Sequence, residues 1–365
     1  MHGGGVGRLR FYSINQHRGA SHHWLLNRCV VSSLVILGVG IRFYFKNLET
    51  VPFTNRTRFV IFPKLKENSF GEEYLEDMKE QMKHKVKIFP PDHPDSVRVR
   101  LIAEKIIGAL HRELRKKRIW SAPQYDLGIW DSKCEGSLMA LIGWWNAWKN
   151  GVLGDDWGGS SIKVSVESQT RFLESLNWEI LVVSSGSAFC LMGGKLIFST
   201  EYMKYLTTDA EIATIIGHEV GHAVARHMAE MVIKELWFFM YAFLIRMLTG
   251  NAKLAKERTD VLVRFPLSRR IETEADYIGR LLVASAGYDP CAAVEAHKKM
   301  GRKWKSNSTK CLRSNRSKHY LGTHPSGEER AEFLSRDQVC PDEIMRRRRS
   351  VYGCLEQLQY NTPVN

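Results

Sequence analysis

A pair of histidines and a glutamate in the middle of an apolar helix constrain this chain more than any other feature. Residues 209–230 read as one long helix. Thr208-Asp209-Ala210-Glu211 has the form of a capping box, and Ile212, Ile215, Ile216 and Val220 recur along one side. Within that helix stands Gly217-His218-Glu219-Val220-Gly221-His222. Burying two imidazoles and a carboxylate is costly unless something compensates. Each interior glycine also forfeits about 1 kcal/mol of helix propensity. A sequence written for packing alone would avoid all of these. Residues at i and i+4 stand above one another on the same helix face. At that spacing two imidazoles can hold one zinc ion, with the glutamate beside the first able to reach a water molecule there. The expectation is therefore one zinc ion per chain on His218 and His222, with Glu219 accepting the proton of the attacking water in hydrolysis.

A catalytic zinc takes a third protein ligand and keeps a position open. Fifty residues further on, Arg270-Ile271-Glu272-Thr273-Glu274-Ala275-Asp276 falls in a second predicted helix, about 268–286. Glu272 and Asp276 share a face at i and i+4, whereas Glu274 leaves the helix about 200° away from Glu272. One face thus offers a carboxylate to the metal and another to orient a ligating histidine. Glu274 reads as a solvated surface charge. His227, five residues after His222, reads as pointing away from the metal face, a surface or core histidine.

The rest of the chain frames this pair of helices. With 365 residues, 44% of them hydrophobic, a sizeable core is within reach. The net charge of +14 would suit an anionic partner, but it is concentrated in residues 1–48 and in Arg346 to Arg349, with no aromatic-basic nucleic-acid motif. Nucleic acid is accordingly not an expected partner. Seven scattered cysteines without a CxxC pair give neither a disulfide framework nor a zinc knuckle. Residues 1–28, arginine-rich and free of acidic residues, have the composition of an organellar transit peptide. The apolar run at 29–48 reads equally as a membrane anchor or a buried helix, being short for a span and interrupted by Arg42. Residues 49–118 lead into the catalytic region with a β-prone stretch at 51–63 and helices at 65–84 and 94–118. Residues 119–165 are a Trp- and Gly-rich insertion, 166–340 the zinc-binding domain, and 341–365 a basic tail. Strands are expected at 178–183 and 195–199, around a Gly193-Gly194 turn. Leu236 to Leu248 is too short for a crossing and reads as a hairpin dipping into a membrane interface or as a buried helix.

GHEVGHAVARH followed by SRRIETEADYIG resembles the membrane-associated gluzincin family that includes HtpX-type and CAAX-prenyl endopeptidases. With LNWEILVV, AFCLMGGKLIF, ASAGYDP and THPSGEER, the chain most resembles the Oma-type mitochondrial peptidases of plants. The resemblance runs from about 178 to 335, with VPFTNRTRF near residue 51 also fitting. It implies an α+β, mostly helical, zincin-like domain with a small sheet packed on the HExxH helix. It assigns Glu272 as third ligand, with Asp276 as the carboxylate that orients a ligand. It places His324, in Thr323-His324-Pro325, near the active site, where it is either a donor to the developing oxyanion or a turn residue fixed by the proline. Protein and peptide substrates and membrane lipid are the partners it implies, and a homo-oligomer is compatible with it. The implied role is cleavage of misfolded or regulatory membrane proteins in quality control at the mitochondrial inner membrane, with a plastid membrane as the alternative location. A catalytically silent paralogue, a binding subunit with a structural zinc, is the competing function; the intact Glu219 argues against it. Ser187 and Met192 depart from the Asn and Pro usual in the family's strand before the metal helix, which bears on substrate preference through edge pairing.

Overall fold

The computed structural model describes residues 17–115, 159–260, 264–311, 330–332 and 334. Nearly all of the expected insertion, the whole basic tail, residues 1–16 and His324 lie outside them. The chain divides into two units, Met1–Leu48 and Glu49–Asn365. The first contains helix α1 (His17–Lys46), whose side chains from Val30 to Phe45 are largely exposed. No helix among the described residues is long and apolar enough to cross a membrane.

The second unit holds the candidate site. Of the β-prone stretch 51–63, Thr57–Phe59 forms a strand, β2, which pairs in a small sheet with β1 (Leu48–Thr50), a strand lying just before the stretch. The turn between them is not a surface loop. Val51, Phe53 and Thr54 are completely buried, and Phe53 and Asn55 take left-handed backbone angles to make the bend. Helices α2 (Lys64–Met82), α3 (Pro94–Arg115) and α4 (Gly159–Glu174) follow. Next come β3 (Glu179–Val183), β4 (Phe189–Leu191) and β5 (Lys195–Ser199). They form a sheet of order β3-β5-β4, β3 parallel and β4 antiparallel to β5. The Gly193-Gly194 turn links β4 to β5 with φ of 73° and 79°, where a Cβ on Gly193 would come within 2.9 Å of the α2 backbone. The far edge of β3 is covered by residues 87–89, whose backbone bonds to it. β4 is therefore the outer strand on the other side, and it packs against the helix that bears the HExxH motif.

That helix is α5 (Asp209–Val224), and its capping box forms as expected, with Thr208 and Glu211 bonding each other's backbone N–H. The core is a sandwich of α3, α5 and the second metal-site helix. Ile102, Ile106 and Leu110 of α3, Ile212, Ile216 and Val220 of α5, and Ile278, Leu281 and Leu282 of the second metal-site helix belong to one buried cluster. Each such side chain contributes about 1.5–3 kcal/mol on burial.

Two expectations are corrected here. The predicted helix 209–230 breaks at Arg226, whose φ of 48° is left-handed, and α6 (His227–Thr249) starts in a new direction. Such a conformation is uncommon for a residue with a side chain. It is held by the buried Arg226 guanidinium, which donates to Glu67 on α2, to the Phe62 carbonyl and to Glu49 on β1. The other correction concerns Leu236 to Leu248, which is not a buried helix: Phe238 alone is buried there, while Trp237, Phe239, Phe243 and Leu248 are each more than half exposed. α6 turns at Gly250 into α7 (Ala252–Thr259) and packs on it, forming a helical hairpin. Finally, α8 (Phe265–Ser285) carries Glu272, and α9 (Ala292–Cys311) starts just beyond Pro290.

Candidate metal centre

The glycines that looked out of place in α5 are explained by α8. A Cβ on Gly221 would lie 2.7 Å from the Ala275 carbonyl oxygen, and one on Gly217 would lie 3.0 Å from the Gly279 carbonyl oxygen. Gly279 reciprocates, a Cβ there falling 2.8 Å from the Gly217 backbone. Two helices therefore touch backbone to backbone along Gly217, Gly221, Ala275 and Gly279. This contact brings a carboxylate on one helix within reach of both imidazoles on the other.

His218 Nε2 lies 3.0 Å from His222 Nε2 and 3.3 Å from Glu272 Oε2, and His222 Nε2 lies 3.5 Å from Glu272 Oε1. Zinc–nitrogen and zinc–oxygen bonds of roughly 2.0–2.2 Å at tetrahedral angles put two ligand atoms about 3.3 Å apart. The spacing and the donor types, two imidazoles and a carboxylate, thus fit zinc without rearrangement. All three donor atoms lie within 4.8 Å of one another. Glu219, on the same helix, is half-buried, with the Cys190 thiol of β4 nearby; burial, and then the Glu219 charge, pushes that thiol's pKa up.

Each imidazole is held from behind through its other nitrogen. His218 Nδ1 lies 2.9 Å from Asp276 Oδ1. Arg330, in the helical residues 330–332, bonds both oxygens of Asp276, with Nε to Oδ2 at 3.0 Å, and approaches Glu272 at 3.8 Å. Burial alone would raise the Asp276 pKa, but Arg330 and then His218 hold it far below the usual carboxylate range. Burial and Arg330 also oppose a charge on His218, yet Asp276 and Glu272 outweigh them and raise its pKa to about 9. His297 on α9 stands 3.7 Å from Asp276 and is pushed down to about 3, chiefly by burial and then by Arg330. Arg330 and His297 were missed by sequence reading of single residues. THPSGEER contains Arg330, but nothing in its spacing says where the guanidinium goes.

The His222 side overturns two expectations. Because the helix breaks at Arg226, His227 turns back toward the site, and its Nδ1 lies 2.8 Å from His222 Nδ1. His227 Nε2 lies 3.0 Å from Glu274 Oε2. Glu274 is not a solvated surface charge: none of its surface is exposed. Thr54 Oγ donates to its Oε1 at 2.6 Å, and Arg56 bonds both its oxygens at 2.6–3.0 Å while also gripping Glu230. The buried turn between β1 and β2 therefore delivers the groups that neutralise Glu274. Burial pushes the Glu274 carboxyl up, but Arg56 and then His227 keep it well below its ordinary range.

Residues 162–338 match peptidase family M48. The chain is 38% identical over 347 residues to the mitochondrial metalloendopeptidase OMA1 of Arabidopsis thaliana, an alignment covering 88% of this chain and 68% of that protein. It is 26% identical over 298 residues to the mitochondrial metalloendopeptidase OMA1 of Saccharomyces cerevisiae, covering 80% and 70%. Against the mitochondrial metalloendopeptidase OMA1 of Schizosaccharomyces pombe it is 29% identical over 177 residues, covering 46% and 50%.

Proposed function

We propose, on the premise that this chain belongs to peptidase family M48 as an Oma-type zinc metalloendopeptidase, that His218, His222 and Glu272 hold its zinc ion and Glu219 is its general base. The observation that carries this is the convergence of the three donor atoms within 4.8 Å across a helix contact too close for any Cβ. Bound zinc supplies Lewis acidity, which polarises a carbonyl and lowers the pKa of water toward about 7. Glu219 takes the proton from the attacking water and passes it to the leaving amine. The outer edge of β4, unpaired among the described residues, lies beside α5 and accepts an extended peptide as an added strand. Edge pairing reads backbone, which suits cleavage of many sequences, and the side chains around Cys190 and Met192 then tune preference.

The chain works in mitochondria, as the relatives' names support. Its finer location is the inner membrane, with residues 1–28 as the transit peptide and residues 29–48 in membrane contact. The exposed apolar face of α6, beside the basic residues Lys253, Lys256 and Arg258 of α7, rests on anionic lipid and keeps the active site near membrane-protein substrates undergoing quality control. The test of the chemistry is Glu219→Gln in the purified full chain. It should retain about one zinc per chain and lose roughly 100- to 10,000-fold in peptide cleavage. Cleavage at the wild-type rate would remove Glu219 from the mechanism.

A further inference from the structure

His222, like His218, has a neighbour at its Nδ1. Its neighbour there is another imidazole, that of His227, at 2.8 Å. Two ring nitrogens at that distance share one proton, so one must donate and the other accept. The partners fix the order. If Nε2 of His222 is the atom facing Glu272 and His218 Nε2, its proton is on Nδ1. His227 then accepts at Nδ1 and carries its own proton on Nε2, which faces Glu274 Oε2 at 3.0 Å. Glu274 is ionised and held by Arg56 and the Thr54 hydroxyl. The contacts His222–His227, His227–Glu274 and Glu274–Thr54/Arg56 are thus all served by one arrangement of protons.

We propose that His227 is a positioning residue for the zinc site: it accepts the Nδ1 proton of His222, fixes the tautomer that presents Nε2 to the metal, and is itself aimed by Glu274 and Arg56. This rests on His222 being a zinc ligand. The sequence alone gives no such role, because on an unbroken helix His227 would face away. The left-handed Arg226, clamped by Glu67, Glu49 and the Phe62 carbonyl, redirects it. A metal ligand near the chain's middle is thereby oriented by Thr54 and Arg56, more than 200 residues before Glu274.

The test compares His227→Leu with His227→Asn in the full chain. Asn places a carbonyl oxygen near the lost Nδ1 and restores an acceptor, while Leu fills space without one. Zinc affinity is measured by competition with a chromophoric chelator, and ligand geometry by the visible spectrum of the cobalt-substituted protein. His227→Leu should bind zinc roughly 10- to 100-fold more weakly, as loss of an outer partner of a ligand typically does. Its cobalt spectrum should shift, and His227→Asn should recover most of both. Equal affinities in wild type and His227→Leu, or equal losses in Leu and Asn, overturn the proposal. Should His227→Leu not fold, Glu274→Gln with cobalt reads the same row one step further out: a shifted spectrum is expected, and an unchanged one refutes the row. His222→Gln separates this from the ligand assignment. It should lose zinc almost wholly, and retention there would sink the ligand assignment and with it the role of His227.

Discussion

The two imidazoles at the centre of this molecule are held in place by different regions of it. His218 is held by Asp276 from the same helix that supplies Glu272, and Asp276 is locked by Arg330. His222 is held through His227 and Glu274 by a buried turn near the start of the second unit. The first arrangement is compact and depends on one helix register. The second recruits Thr54, Arg56, Glu230 and the clamp on Arg226, so it depends on the N-terminal segment being docked. The comparison teaches that residues 49–59, which supply none of the three candidate metal ligands, are nonetheless part of the support of the candidate site.

Removing each anchoring carboxylate should separate the two sides, with the larger effect on the His218 side. Asp276→Ala strips the buried Arg330 of its bidentate partner; among the described residues it keeps Glu272 at 3.8 Å and the uncharged or cationic imidazole of His218 at 3.0 Å. Breaking a buried pair in this way costs about 3–5 kcal/mol. Glu274→Ala leaves Arg56 still paired with Glu230, so its expected cost is about 1–3 kcal/mol. Denaturant unfolding of the two variants under identical conditions gives both numbers. If Glu274→Ala is the more damaging, the N-terminal turn matters more than the helix register.

An effect no larger than that of Glu274→Ala is expected where both sides share a foundation, the contact of α5 with α8. Gly221→Ala drives a methyl to 2.7 Å from the Ala275 carbonyl, and separating the helices should cost about 1–3 kcal/mol. Gly108→Ala is its control, since a Cβ there meets only the flexible end of Arg112 at 3.5 Å. That change should be neutral or stabilising by up to about 1 kcal/mol. Thermal unfolding distinguishes them, and equal behaviour would deny the close approach.

Acid should weaken both sides together. His297, held neutral down to about 3, contributes stability that is complete above its unfolded pKa near 6.5 and is lost as pH falls below it. Glu274, Glu230 and Asp276, all held low by their partners, contribute stability that is lost only as pH falls through the ordinary carboxylate range. In the presence of a chelator, stability should therefore decline from pH 6.5 and more steeply below about 4.5. A flat profile from 6.5 to 4 in denaturant titrations would contradict these shifts.

The smallest effect on stability is expected in the exposed face of α6. Phe239→Ser with Phe243→Ser should change unfolding by no more than about 0.5 kcal/mol per site and leave zinc content intact. The same pair should reduce co-flotation of the chain with vesicles of anionic lipid. Unchanged flotation would detach this face from the membrane.

The difference between the two sides is also a difference in what the sequence discloses. Spacing alone put Glu272 and Asp276 on one face, because period and register survive inside a long apolar helix. The two strands around Gly193-Gly194 were legible for a similar reason, since glycines with positive φ punctuate the chain. The break at Arg226 was not legible, because HAVARHMAE contains neither glycine nor proline and its residues favour a continuous helix. Tertiary bonds from Glu49, Phe62 and Glu67 impose it, and these partners lie 159 to 177 residues away. The burial of Glu274 was misread in the same way: a lone carboxylate is usually solvated, and its partner Arg56 is 218 residues distant.

Glu272 and Glu274 on α8 make the most direct test, because two residues apart they are assigned to the metal and to the support of His222. Zinc affinity of Glu272→Gln and Glu274→Gln, measured side by side on the full chain, separates these roles. The expected result is that Glu272→Gln weakens binding beyond the about 100-fold limit typical of outer partners, while Glu274→Gln stays within roughly 10- to 100-fold. The reverse order, with Glu272→Gln retaining zinc and Glu274→Gln losing it, would contradict the placement of the metal between His218, His222 and Glu272.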